Sequence, residues 1–259
     1  MCYQIVYMMN QPIKIIFAFF FLYFGFVFLP HAYGQWTIDA ETGLAFPANN
    51  DVRIFNGSGT LFDFNEEFDV QGPVIPVRVR IGYTFGEKNH VSVLWAPLRV
   101  NYEGSFSRPV QFQKTLFPAG DFTKGTYKFN SYRLTYRRDV VQTDRWVLGV
   151  GLTGKIRDAK VQLENEAGLS DSNDNVGPVP LLHLYAEYGI GQGKLYFEGD
   201  GLASSQGRAF DLFLGASIPL AERLGLKVGY RMLEGGADSE EVYNFALVHY
   251  SVVGLVVEL

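Results

Sequence analysis

The sequence predicts an all-β protein, an antiparallel up-and-down β-barrel that crosses a membrane with its strands. The observation that carries this most strongly is the stretch Arg145–Arg157, in which apolar residues occupy every second position. The apolar face carries Trp146, Leu148, Val150 and Leu152, and the other face carries Gly149, Gly151, Thr153, Lys155 and Arg157. A period of two is that of a β-strand. One apolar and one cationic face are typical of a barrel with lipid outside and water or ion pairs inside.

Composition is the second observation. The chain has 259 residues, a formal net charge of -5, 15% aromatic residues and 28 glycines. Such a chain is too apolar for disorder, and its glycines and aromatic residues suit many strands joined by turns. The mildly acidic balance gives no support for a nucleic-acid partner. After residue 34, no apolar run is long enough for a spanning helix, so membrane insertion is expected by strands.

The N-terminal residues predict an export signal. Lys14 is the only charge of Met1–Gly34, and Ile15–Leu29 is an unbroken apolar run. That run is shorter than the ~20 residues of a spanning helix, and small residues follow it at Ala32 and Gly34. We therefore expect a cleaved signal peptide over residues 1–34 and a barrel domain over residues 35–259, with a retained anchor as the alternative. The barrel domain contains no cysteine, so disulfides cannot stabilise it.

Nine other stretches alternate in the same way, and together with Arg145–Arg157 they predict ten strands, with eight as the alternative. In chain order the nine are Trp36–Phe46, Val74–Phe85, His90–Glu103, Gly125–Val140, Pro178–Ile190, Lys194–Leu202, Phe210–Ile218, Leu224–Leu233 and Tyr243–Leu259. In the first strand Thr37, Asp39 and Glu41 form the polar face. In the third, Arg99 has the parity of Trp95, so we expect a bulge at Pro97 that resets the alternation.

The connections between these strands alternate in length. Long loops are expected at Pro47–Gly72, Gly104–Lys124 and Ala159–Gly177, and Glu234–Glu241 is an acidic loop. The other connections are short turns. Short turns on the periplasmic side and long loops outside are the arrangement of outer-membrane barrels.

Charged residues recur on the face opposite the apolar one, and these are the candidate lumen-facing residues. The cations are Arg78, Arg80, Arg133, Arg137, Lys155, Arg157, Lys227 and Arg231, and the anions are Glu187, Glu198, Asp200 and Asp211. Cations dominate the earlier strands, and anions lie on three consecutive later ones. One interpretation is a plug of ion pairs that stiffens the barrel, and the other is a polar path for a small solute or ion. We favour the plug because side chains largely fill a small barrel.

No motif predicts a specific chemistry. Gly149–Lys155 resembles a phosphate-binding loop, but Ile156 replaces the magnesium-binding hydroxyl and the match lies inside a strand. Asp171–Gly177 lacks the glycine and the glutamate of a calcium loop. His183 and His249 each share a face with a possible partner, but Ser251 would lie about 7 Å from His249 by strand rise. We therefore predict no catalytic residues, no cofactor and no metal.

The layout from Trp36 to Leu259 resembles the small single-chain outer-membrane barrels of Gram-negative bacteria. That class includes OmpA-type and OmpW-like barrels, lipid A deacylases and omptin proteases. Gly229–Asp238 followed by Val242–Phe245 is similar to the end of a barrel family with no assigned activity. The resemblance implies an outer-membrane location, contact with membrane lipids and lipopolysaccharide, and insertion by the barrel assembly machinery. The terminal Leu259 departs from the aromatic residue with which these barrels usually end.

These observations predict a monomeric structural protein or small-solute pore with a charged lumen. Two alternatives stay open. One is an outer-membrane enzyme that acts on lipid A or peptides, which requires a histidine, a nucleophile and a carboxylate near the outer rim. The other is a surface-binding or adhesion protein that uses Pro47–Gly72 and Gly104–Lys124, which requires ordered and exposed aromatic residues in those loops.

Overall fold

Ten antiparallel strands form a closed barrel in the computed structural model, which describes residues 34–259. The barrel strands are β1 (Gln35–Ile54), β4 (Arg78–Phe85), β5 (Asn89–Ala96), β9 (Phe122–Gln142), β10 (Trp146–Asn165), β11 (Ser170–Ile190), β12 (Gly193–Ser204), β13 (Gly207–Ala221), β14 (Leu224–Asp238) and β15 (Val242–Glu258). Strand β1 pairs with both β4 and β15, which closes the sheet. The predicted count of ten is confirmed. The predicted signal peptide lies outside the described residues, except for Gly34.

Shorter elements fill the two long loops. They are β2 (Phe62–Asp63), α1 (Phe64–Glu67), β3 (Phe68–Val70), β6 (Arg99–Ser105), β7 (Val110–Phe112) and β8 (Thr115–Phe117). Strand β6 pairs with β9 and β3, whereas β7 and β8 pair only with each other. Within residues 34–259, no helix is long and apolar enough to span a membrane.

The outer face of the barrel carries an apolar band of membrane height. On β10 the outward residues are apolar from Trp146 to Ile156 and then become charged at Asp158. Ten residues of strand rise about 33 Å, which the usual tilt reduces to roughly the ~25 Å of a barrel's apolar band. An exposed aromatic pair lies at the end of the barrel that holds Gln35 and Leu259, with the rings of Trp36 and Tyr83 4.9 Å apart. The short turns lie at this same end, which is the periplasmic side in outer-membrane barrels.

Three predicted loops are longer than the loops in the structure, and the cause is the same in each. Strand β10 continues to Asn165 and β11 begins at Ser170, so Ala159–Gly177 is mostly paired strand and not a loop. Likewise β1 runs through Pro47 to Ile54, and β14 continues to Asp238. Above the lipid these strands face water, so their outward residues are polar and the alternation that signals a membrane strand disappears.

The predicted bulge at Pro97 is also wrong. Ala96 pairs with Ser131 and Arg99 pairs with Lys128, so β5 and β6 keep one register against β9. Trp95 and Arg99 therefore point outward alike, one into lipid and the other into water. The change from apolar to charged residues marks the membrane boundary and not a shift in phase.

The two long loops fold together into an apolar cluster, which we call the loop unit (residues 55–77 and 97–121). Its buried aromatic side chains are Phe62, Phe64, Phe68, Tyr102, Phe106, Phe112 and Phe117. The rings of Phe64 and Tyr102 stack with centroids 4.6 Å apart. Burial raises the pKa of Tyr102 to about 12. The cluster packs on Val52 and Leu163 of the barrel wall, so it is a continuation of the barrel interior.

Replacing Phe64 by alanine should destabilise the loop unit without unfolding the barrel. Phe64 is fully buried, and a Phe→Ala change of this kind costs about 3–5 kcal/mol because a cavity remains. We expect protease added to the outside of intact vesicles to cleave Phe64→Ala faster than wild type, while heat-modifiable gel mobility is kept. Leu61→Ala, at a half-exposed side chain of the same loop, is the control. Equal cleavage rates for the two variants would contradict the role of the cluster.

Candidate functional site

A network of buried charged side chains crosses the middle of the barrel and is centred on Asp211 of β13. Arg78, Arg133 and Arg231 donate to its carboxylate over 3.1, 2.5 and 2.6 Å. Arg78 of β4 and Arg133 of β9 reach Asp211 across the lumen, whereas Arg231 lies on β14, the strand next to β13. All four side chains are almost completely buried.

The second acceptor of the network is Glu41 of β1. Both of its oxygens accept from Arg231 over 2.9 Å, and it also bonds Lys227. Lys227 donates a further bond of 2.7 Å to Asp39, two residues earlier on β1. Below this group, Arg80 pairs with Glu198.

Asp200 of β12 is the third acceptor and lies directly opposite Asp211 on the neighbouring strand. Two like charges in such a pair repel, so a bridging cation is needed. Arg133 provides it, because one end of its guanidinium donates to Asp200 over 2.7 Å and the other to Asp211. Asp200 also accepts from Thr153 over 2.7 Å and contacts His183 Nδ1 at 2.8 Å.

Formal charges balance within this set, which we call the ion-pair network. Its five cations are Arg78, Arg80, Arg133, Lys227 and Arg231, and its five carboxylates are Asp39, Glu41, Glu198, Asp200 and Asp211. The cavity beside Arg78 and Arg133 has a volume of about 10 Å³, enough for no more than about one water. The network therefore fills the cross-section of the lumen at this height.

The lower chamber, on the periplasmic side of the network, has a volume of about 630 Å³ and polar walls. His90 lies in it, with Nδ1 2.9 Å from Thr84 Oγ1 and Nε2 2.8 Å from Asp139. Arg137 pairs with Asp139 over 3.0 Å. A Cβ atom at Gly149 would lie 2.8 Å from both Arg137 and Asp139, so this glycine makes room for them.

The upper chamber, on the opposite side of the network, has a volume of about 500 Å³ and mainly apolar walls. Lys155 lies at its base, with 3% of its surface exposed and its Nζ 4.5 Å from the centroid of Phe129. Arg157 is the next residue on the same face of β10, two residues after Lys155, and it donates a hydrogen bond to Asn175. Among residues 34–259, neither cation forms an ion pair.

The structure places the predicted lumen-facing residues in three groups. Eight of them join the ion-pair network, namely Arg78, Arg80, Arg133, Glu198, Asp200, Asp211, Lys227 and Arg231. Arg137 and Glu187 line the lower chamber, where Glu187 pairs with Lys194 over 3.0 Å. Lys155 and Arg157 line the upper chamber.

Sequence reasoning missed three carboxylates of these groups. Asp39 and Glu41 alternate with the apolar residues of β1, so the period of two that identified the other lumen-facing charges would have identified them as well. Asp139 lies beyond the outward-facing Arg138, near the periplasmic end of β9, where the apolar alternation stops. His90 was not singled out either, because its partner Asp139 is 49 residues away in the chain.

The three histidines of residues 34–259 lie at different heights. His183 contacts Asp200 of the ion-pair network, and His90 lies in the lower chamber. His249 points outward, where it contacts Tyr230 Oη at 2.5 Å. None of the three lies at the outer rim with a nucleophile and a carboxylate. The described residues contain no cluster of three His, Cys, Asp or Glu side chains placed to hold a metal ion.

Solved structures with a similar fold are membrane barrels. The outer-membrane protease OmpT from Escherichia coli aligns with a TM-score of 0.53 and 8% identity, over 87% of this chain and 97% of OmpT. Ail, the attachment invasion locus protein of Yersinia pestis, aligns with a TM-score of 0.41 and 12% identity, over 87% of this chain and 99% of Ail. No family model and no curated protein matches the sequence.

The OmpT alignment establishes the barrel fold, and the apolar outer band shows that a lipid bilayer surrounds the barrel. The protein is an outer-membrane β-barrel. At 8% identity the alignment carries no information on catalysis or ligands. The function therefore has to be argued from the chambers and the ion-pair network.

Replacing Asp211 by asparagine should strongly destabilise the barrel. Three buried guanidiniums would lose a shared counter-charge, and breaking a buried pair in this way costs about 3–5 kcal/mol. We expect a lower urea midpoint for Asp211→Asn refolded in phospholipid vesicles, measured by tryptophan fluorescence. Asp174→Asn, which removes an exposed 3.7 Å pair with Lys160, should cost less than about 1 kcal/mol. Equal midpoints for the two variants would show that the network does not stabilise the fold.

Proposed function

We propose that the protein is a monomeric outer-membrane barrel with a closed lumen, which holds a small ligand in its upper chamber instead of conducting solutes. The observation that carries the proposal is the charge-balanced ion-pair network between the two chambers. Opening a path through it would separate buried charges from their partners, which costs several kcal/mol per ion. The barrel also closes within one chain, so no second subunit is needed.

The upper chamber supports the binding half of the proposal. Its volume of about 500 Å³ lies within the range of small-molecule sites, about 300–1,000 Å³. Apolar walls with a few convergent polar groups are the usual lining of such sites. Lys155 and Arg157 are those groups here, and they have no carboxylate partner among the described residues.

The two alternative functions receive less support. The enzyme hypothesis requires a histidine at the outer rim, and the histidines of residues 34–259 lie elsewhere. The adhesion hypothesis requires exposed aromatic residues in the long loops. The loop unit is ordered, but most aromatic residues of the two loops are buried, and Phe55 and Phe122 are exposed by little more than a third.

Planar-bilayer recordings test the closed lumen directly. We expect no discrete conductance from refolded wild type, or from a variant that combines Arg80→Ala with Glu198→Ala, because the pairs around Asp211 remain. Combining Arg133→Ala with Asp211→Ala also removes one charge of each sign, but from the centre of the network, and should produce discrete channels. Heat-modifiable mobility confirms folding in each case. Wild-type channels that resemble those of the variant with Arg133→Ala and Asp211→Ala would overturn the proposal.

Thiol labelling tests whether the chambers are separated in cells. Cysteines are placed in a Cys2→Ser background, which leaves no other thiol in the chain. Ala159 lines the upper chamber and Thr37 the lower one. A membrane-impermeant maleimide should label Ala159→Cys on intact cells, and Thr37→Cys only after the outer membrane is permeabilised. Equal labelling of both positions on intact cells would mean that the lumen is open.

A further inference from the structure

The wall of the upper chamber has a gap between β11 and β12. Pairing of these strands ends at Leu182 and Gly201, although β11 continues for twelve residues to Ser170. Strand β12 ends at Ser204 and returns as β13 from Gly207. The segment Ser170–Leu181 therefore pairs with β10 but not with β12.

Two prolines in this segment are consistent with an unpaired strand edge. Pro178 and Pro180 are exposed and lie directly above the last paired residue, Leu182. Proline has no amide hydrogen, so strands tolerate it mainly at edges. An edge without donors also resists pairing with another chain. The gap is therefore a lasting feature of the wall.

The gap connects the upper chamber to the outside of the barrel. The chamber is lined by the inward residues Val179 and Leu202 and also by Pro178 and Arg208, which point outward. Residues of both strands that border the gap line this one cavity, Pro178 and Val179 from β11 and Leu202 and Ser204 from β12, so the chamber reaches the gap.

The height of the gap is set by the neighbouring strand pairs. Its lower end, Leu182, pairs with Leu152, which lies inside the apolar band. Pro178 pairs with Ile156, the last apolar outward residue of β10. The gap therefore begins among the acyl chains of the outer leaflet and continues to the level of the head groups.

The chemistry inside the chamber matches this route. Lys155 is nine-tenths buried and lacks a counter-charge among residues 34–259, and Arg157 has a buried Nε without a hydrogen-bond partner. A buried cation is costly unless an anion approaches it. Most of the remaining wall is apolar, with Phe129, Leu233 and Val248 among its residues, although polar side chains such as Asn173 and Gln206 also line it. The site combines a cationic base with apolar walls.

We propose that the upper chamber binds a single-chain amphiphile with an anionic head group, which enters from the outer leaflet through the gap between β11 and β12. The head group, a carboxylate or a phosphate, lies against Lys155 and Arg157, and the acyl chain follows the apolar wall towards the gap. This assignment rests on the proposed function, because a closed lumen keeps the ligand in the upper chamber.

Binding measurements in lipid nanodiscs test the head group and the chain separately. The probes are dodecanoate, dodecyl phosphate, dodecanol and inorganic phosphate. Both dodecyl anions should bind, and Lys155→Met should weaken each at least about tenfold, equivalent to about 1.4 kcal/mol. Lys124→Met, which removes an exposed lysine that does not line the chamber, should bind like wild type. Mass spectrometry of amphiphiles extracted from purified protein distinguishes a single-chain lysophospholipid from a free fatty acid as the natural source.

A blocked gap tests the route. Leu202→Trp places a larger side chain where the gap meets the chamber, and should slow association of membrane-delivered dodecanoate at least about tenfold. Leu195→Trp, on the lipid-facing side near the lower end of β12, is the matched control. Unchanged association with Leu202→Trp would overturn the lateral route, and unchanged affinity with Lys155→Met would overturn the head-group site. Neither result affects the bilayer recordings, so failure of the closed lumen is detected independently.

Discussion

The structure depends on the shared carboxylate of Asp211. A charge at the centre of a narrow barrel has no bulk water to solvate it, so it must be paired with cations of the wall. Its three guanidinium partners lie 133, 78 and 20 residues away in the chain. Arg78 and Arg133 thus tie β4 and β9 to β13 across the lumen, and Arg231 adds a contact from the neighbouring strand β14. Such contacts require a barrel narrow enough for an arginine to reach the far wall, so network and strand number support each other.

The same residue pattern has different meanings at different heights of the barrel, which decides how much of the fold the sequence could predict. Within the lipid, outward apolar residues alternate with inward polar ones, and there Trp146–Ile156 predicts a strand correctly. Above the lipid the polarity reverses, since Val100 and Tyr102 are buried while Arg99 and Asn101 face water. A rule that equates the apolar face with the outer face therefore failed at Pro97 and over Ala159–Gly177.

The inward position of the candidate residues followed from parity, but their grouping could not. Parity gives a side chain's face, whereas its partner depends on barrel radius and on the relative height of distant strands. Asp200 and Lys155 both lie on inward faces, yet one joins three hydrogen-bonding partners and the other has no ion-pair partner among residues 34–259. Only the three-dimensional register separates the charges that stabilise the barrel from those that are left over.

That separation shows where function can reside. A network with equal numbers of cations and carboxylates is neutral in formal charge, so it attracts an anionic ligand little. Lys155 and Arg157 differ from the network cations, because they lie beside apolar walls without a carboxylate partner among the described residues. Removing such an unpaired charge from water costs free energy that nothing in the chamber offsets. The shortened β12–β13 hairpin opens the wall beside these cations at the level of the outer leaflet. An unpaired charge and an incomplete wall at one place are weak points for stability, and both are explained by a ligand that supplies the missing anion and fills the apolar space.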